Sequence, residues 1–183
     1  MAIASQEALE NALHAAVVTA SGKSASTISW EGQENVRGAG PWISLGLDGP
    51  AKVGQDVVEQ SFDESADAHE EIENRVSGLR EATLTITVFG ADAAGNNSPM
   101  ALASYIANGL SMPGVRYALN VAGIGVRDVG RVLKIGANRR AGFEARAILD
   151  VIIYYTETRS ENLGYFSSAT LEDLDTEDTI TVP

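Results

Sequence analysis

His14 and His69 are the only histidines in the 183-residue chain, and so its only side chains that titrate near neutral pH unaided. Neither has a partner at metal-ligand spacing. Both are expected to fill surface or satisfied structural roles rather than catalytic ones. The run DESADAHEE, from Asp63 to Glu71, brings carboxylates together as a cation site would. It lacks the ligand order of a calcium loop and the glycine at its sharp turn, so it reads as solvated charge. GIGVRDVG, from Gly123, contains Gly-x-Gly but not the third glycine of a dinucleotide fingerprint. A strand-like segment follows it where a phosphate site needs a helix N-terminus. There is no Walker loop, no G-x-S-x-G elbow and no cysteine, which removes thiol catalysis, thiolate metal sites and disulfides. The expectation is a protein with no catalytic residues, no cofactor and no metal site.

Positive charge is the scarcer resource. The net charge is −12, and Arg131, Lys134, Arg139, Arg140 and Arg146 are five of only thirteen basic residues. They crowd the stretch from Gly130 to Tyr155, which reads as two strands around a turn. Between Ala93 and Leu149 stand seven basic residues (those five with Arg116 and Arg127) against two acidic ones, Asp128 and Glu144. From Gln55 to Asn74 there are eight acids (Asp56, Glu59, Asp63, Glu64, Asp67, Glu70, Glu71 and Glu73) and no Lys or Arg. The basic cluster can be read as a phosphate or nucleic-acid contact, as a solvated face, or as half of a subunit contact. A chain so polarised can meet copies of itself head to tail, and such contacts close into rings when the rotation allows. The five basic residues are therefore the candidate subunit interface. The overall acidity opposes a duplex-binding role for the whole chain.

The elements that must carry these residues follow from periodicity. Gln6–Ala20 is expected to be a helix, with Ser5 as its cap, Leu9, Leu13, Ala16, Val17 and Ala20 on one face, and Gly22 as its stop. TISW and PWISLGLDGP read as strands, the second turning in Ile43, Leu45 and Leu47 until Pro50 ends it. The 55–74 segment reads as a solvated excursion with at most a short helix. Ala82, Leu84, Ile86 and Val88 alternate with polar residues, as a half-buried strand does. Ser98 and Pro99 open a helix with Leu102, Tyr105, Ile106 and Leu110 as its stripe, and Pro113-Gly114 ends it. Short strands are expected around Asn120–Val126 and Asp128–Ile135. The longest strand is expected from Glu144 to Thr156, with Ala145, Ala147, Leu149, Val151, Ile153 and Tyr155 turned inward. A final strand, YFSSATL, leads into an acidic tail expected to be mobile.

A hydrophobic content of 44% over this length supports one globular domain with a real core. The N-terminus lacks the basic start of a signal peptide, and no apolar run approaches a membrane span, so the chain is expected to stay in the cytoplasm where it is made. The element order predicts an α+β fold, a mostly antiparallel β-sheet with two main helices packed on one face. The domain spans 1–171 with an acidic excursion at 55–74, and 172–183 forms an acidic tail.

Three groups of residues carry a resemblance. The first is the N-terminal helix followed by Trp30-x-x-Gln33 and the strand-opening Pro41-Trp42-Ile43. The second is TLTITVFG with a helix after its loop. The third is EARAILDVIIYY followed by Gly164-Tyr165-Phe166 and a short strand. In this order, over roughly Leu9 to Leu171, the chain resembles the neck or tail terminator proteins of long-tailed bacteriophages. The resemblance implies a structural virion protein without an active site. It implies a ring, usually of six copies, that caps the tail tube, ends its polymerisation and joins the tail to the head connector. The implied partners are the chain itself, the tail tube protein, the head–tail connector or neck protein, and a sheath where the tail has one. DNA would pass through the lumen without specific binding, and an acidic wall would not hold it. The implied location is the tail–neck junction of the virion, after assembly in the host cytoplasm. Another head–tail joining protein, a tail tube subunit and, from a different class, a small-ligand-binding domain are the alternatives.

Overall fold

The computed structural model describes residues 5–33, 41–62, 72–90, 98–139, 142–163, 169–172 and 179–182. The first helix, α1 (Gln6–Ser21), starts where the Ser5 side chain accepts a hydrogen bond from the Ala8 amide. It stops where Gly22 turns to a φ of 61° and donates its N–H to the Val18 carbonyl. That bond satisfies a carbonyl that the helix end would leave bare, in a conformation that a Cβ would oppose. The second helix, α2 (Pro99–Leu110), opens in the same way, with Ser98 accepting from the Ala101 amide and proline in the first turn.

Seven strands build the main sheet: β1 (Ile28–Trp30), β2 (Trp42–Leu47), β3 (Ala51–Phe62), β4 (Ile72–Gly90), β5 (Ile124–Val129), β6 (Leu133–Arg139) and β7 (Gly142–Leu163). The order runs β1-β2-β4-β7-β5, with β3 also on β4 and β6 also on β7. β1 is parallel to β2, while β2 with β4, and β5 and β6 with β7, are antiparallel. A common device recurs on both long strands. β2 and β3 pair in turn with β4, bridged by the Asp48 amide on the Thr83 carbonyl. β5 and β6 pair in turn with β7, bridged by the Gly130 amide on the Asp150 carbonyl.

The chain forms two compact units. The first comprises Met1–Gln55 and Gly78–Glu157 and holds the core. Alternation along β4 and β7 turns Leu84, Ile86 and Val88, and Leu149, Val151 and Ile153, toward Leu13 and Val17 of α1 and Ile106 and Leu110 of α2. Each such side chain contributes about 1.5–3 kcal/mol by leaving water, which is why this face fixes the register. All six inward positions expected along the longest strand, Ala145 to Tyr155, are buried. The second unit comprises Asp56–Ser77 and Thr158–Pro183. Within it the Ser77 and Thr158 hydroxyls lie 3.0 Å apart, and Ser61 donates to Glu73 at 3.5 Å. It also holds a separate antiparallel pair, β8 (Ala169–Glu172) and β9 (Thr179–Val182).

Four expectations need correction. Three helices, not two, pack on the sheet: Pro113-Gly114 opens α3 (Pro113–Val121) as well as closing off α2, because proline suits a first helical turn. The strand expected around Asn120–Val126 is therefore the end of α3 followed by β5. The acidic 55–74 segment is strand rather than loop or short helix in its described part: Gln55–Phe62 and Ile72–Asn74 lie in β3 and β4, held by the ladder rather than by burial. The tail, given no strand in the sequence reading, contains one: Glu172 ends β8 and Thr179–Val182 pairs back onto it. Of the final strand YFSSATL, residues 165–168 lie outside the described residues.

Candidate functional site

The five basic residues proposed for a subunit contact fall into different settings. Arg131 is exposed in the link between β5 and β6. Lys134 is exposed on β6 and stands opposite Ala147, so it shares the face that β7 turns toward the helices. Arg146 stands opposite Ile135 on the other face. Arg139 closes β6 opposite Gly142, and Arg140 lies outside the described residues. Among the described members of the cluster, Lys134 and Arg146 thus lie on opposite faces of the sheet.

Arg146 is half-buried, with its guanidinium 4.8 Å from the centre of the Phe89 ring. Phe89 in turn stacks on Trp42, its cross-strand partner, with ring centres 3.7 Å apart. This is a three-layer stack across β2, β4 and β7, in which the cation sits on an aromatic face. The same side of the sheet carries a ladder of polar pairs. Thr85 donates to Asp150 at 2.8 Å, and Arg127 on β5 meets Glu81 on β4 at 2.7 Å. The guanidinium of Arg127 also lies 5.7 Å from the centre of the Tyr154 ring. The Tyr154 hydroxyl and then Arg127 hold the Glu81 carboxyl below its ordinary range, and the hydrogen bond to Glu81 raises Tyr154. Arg80 pairs with Glu157 at 3.0 Å. Arg116, counted in the sequence as part of the basic stretch, donates instead to the Leu110 and Val126 carbonyls and ties α3 to its neighbours. Spacing along the chain does not reveal the strand-to-strand pairs, whose partners lie 77, 65 and 46 residues apart.

Two strands contrast with that self-satisfied face. On β3, Val57 and Val58 are 58% and 63% exposed, beside exposed Glu59. On β6, Leu133 and Ile135 are each 41% exposed, beside exposed Lys134. Among the described residues, β3 has only β4 as a strand neighbour, and β6 only β7. Of the acids grouped against the basic cluster, Asp56 and Glu59 lie on β3 and Glu73 on β4, while residues 63–71 lie outside the described residues.

Nothing in the described residues gathers a reacting set. His14 places Nε2 3.2 Å from the Ile28 carbonyl, joining α1 to β1, and His69 lies outside the described residues. A cleft of about 260 Å³ between α1 and α3 is lined by Ala12, Ala16, Val115, Ala118, Leu119 and similar small side chains, none of them titratable. Among the described residues no three His, Cys, Asp or Glu side chains converge as metal ligands, and no helix is long and apolar enough to cross a membrane. The Gly-x-Gly at Gly123 opens β5, a strand, and so presents no helix dipole to a phosphate.

No curated protein matches the chain in sequence. The family model described as phage neck terminator protein matches residues 7–182, nearly the whole chain. That family is structural and non-enzymatic; the chain belongs to the phage neck terminator protein family.

Proposed function

We propose that copies of this chain close into a ring, of six in the form most usual for such proteins, that caps the finished tail tube. The ring ends tube polymerisation and offers its other side to the head connector, with a sheath as a further neighbour in a contractile tail. DNA passes through its centre without specific contact, and the net charge of −12 favours a wall that does not hold the duplex. The observation that carries this reading is the family match over residues 7–182. The polarity of the chain supports it, because basic and acidic stretches on one molecule can meet head to tail.

The test is electron microscopy and light scattering of the purified chain, with and without tail tubes. Rings, or a monomer that assembles on tube ends, are expected. A chain that stays monomeric and ignores tubes would overturn the reading, and filaments would favour a tube subunit instead. The double change Arg139→Glu with Arg140→Glu is expected to abolish assembly and leave the circular dichroism spectrum and melting temperature close to those of the parent. Rings surviving that change would remove the turn from the interface.

A further inference from the structure

We propose that the ring is sewn by strand addition: β6 of one copy lies edge to edge against β3 of the next, continuing the sheet from chain to chain. This rests on the ring reading above and specifies how neighbouring copies are held.

The argument starts from what an open edge requires. A strand with one neighbour bares a row of N–H and C=O groups that can pair with any other edge, and proteins protect such edges when they are to stay in water. The other two outer strands show that protection. β1 is three residues long. β5 breaks its register with β7 between Val126 and Asp128. β6 has no such break, since its seven residues pair with β7 in unbroken register from Leu133↔Ile148 to Arg139↔Gly142. β3 is twelve residues long, and beyond the left-handed Gly54, at a φ of 76°, it continues through Gln55–Phe62.

The side chains point the same way. Val57 and Val58 are successive residues, so they stand on opposite faces of β3, and both are more than half exposed. β-Branched residues bared on both faces of one strand suit a strand that gains cover when its neighbour arrives. β6 offers Leu133 and Ile135 on one face. The charges are complementary: Gln55–Phe62 holds Asp56 and Glu59 and no basic residue, and Arg131–Ile135 holds Arg131 and Lys134 and no acid. Opposite charges across a strand pair stabilise it, and like charges would penalise β3 meeting β3 or β6 meeting β6. Two different edges of one molecule therefore select each other. The contact is heterologous, the kind that builds rings.

The chain contains no cysteine, which makes disulfide trapping clean. Single cysteines are placed at Val57, Val58, Glu59 or Gln60 in one preparation and at Leu133 or Lys134 in another. Each pair of preparations is mixed and mildly oxidised, with and without tail tubes. Cross-strand neighbours have the Cα spacing that a disulfide accepts. At least one β3–β6 combination is expected to give a heterodimer band, with neighbouring positions alternating between strong and weak. The matching double variant should give a ladder that ends at the ring. Lys134→Glu is expected to weaken association on the order of fivefold, with Glu59→Lys restoring it. Rings that form normally but trap no β3–β6 pair, or trap β3 with β3 equally well, overturn strand addition and leave the ring reading standing. A parent chain that forms no ring under either condition overturns both.

Discussion

Arg127 shows how this chain uses a charge on its surface. It reaches Glu81 at 2.7 Å and lies over the Tyr154 ring, so one side chain joins β5, β4 and β7. The Glu81 carboxyl is held below its ordinary value of 4.5, first by the Tyr154 hydroxyl and then by Arg127. A depressed carboxylate stabilises the fold above its unfolded pKa, and that contribution is lost as pH falls through the folded value. Glu81→Gln is therefore expected to melt below the parent at pH 7, and the gap should close as the pH falls below 4.5 and through the folded value. A gap that stays constant over that range would mean that the ionised pair contributes nothing. Gly109 illustrates a steric requirement instead. A Cβ there would lie 2.6 Å from the Ala20 carbonyl oxygen and 2.8 Å from Ala20 Cα, so α1 and α2 touch backbone to backbone. Alanine normally favours a helix over glycine, but here overpacking outweighs propensity, and Gly109→Ala is expected to lose about 1–3 kcal/mol in urea unfolding.

At the scale of elements, caps decide where helices begin. Ser98 accepts from the Ala101 amide, and Ser98→Ala should cost about 1 kcal/mol by denaturant titration, with the Pro99 start retained. Such caps were legible in the sequence because they act locally: Ser5, Gly22, Ser98 and Pro99 all serve as their positions suggest. The inward face of β7 was legible because burial imposes a period of two, from Ala145 to Tyr155. α3 was hidden although Val115 and Leu119 stand four apart on its buried side, because it is only nine residues long and its opening proline doubles as a stop signal. β3 was hidden for another reason. Its ladder with β4 makes it a strand, while its side chains stay mostly in water and show no alternation. The candidate site was legible as a charge imbalance only. That Arg146 would lie on Phe89, and Arg116 on two carbonyls, depends on contacts across the sheet and between helix and strand that spacing cannot reveal.

For the whole molecule, the place of β7 in the sheet governs the order in which the protein can be made. β7 lies between β4 and β5 and also carries β6, yet it is the last strand of that sheet in the chain. Until it emerges from the ribosome, β5 and β6 lack the strand they pair with, β4 lacks one of its neighbours, and the core lacks Ala147, Leu149, Val151, Ile153 and Tyr155. Pairing of strands so distant in sequence is intrinsically slow. A chain stopped after Arg139 is expected to be digested at once by a nonspecific protease, whereas the full chain resists. Protection of that truncated product would show that the helices and early strands fold without β7. Synthesis thus delays the exposed edge of β6 from becoming a rigid template until β7 has been made, which limits premature sticking between half-made copies.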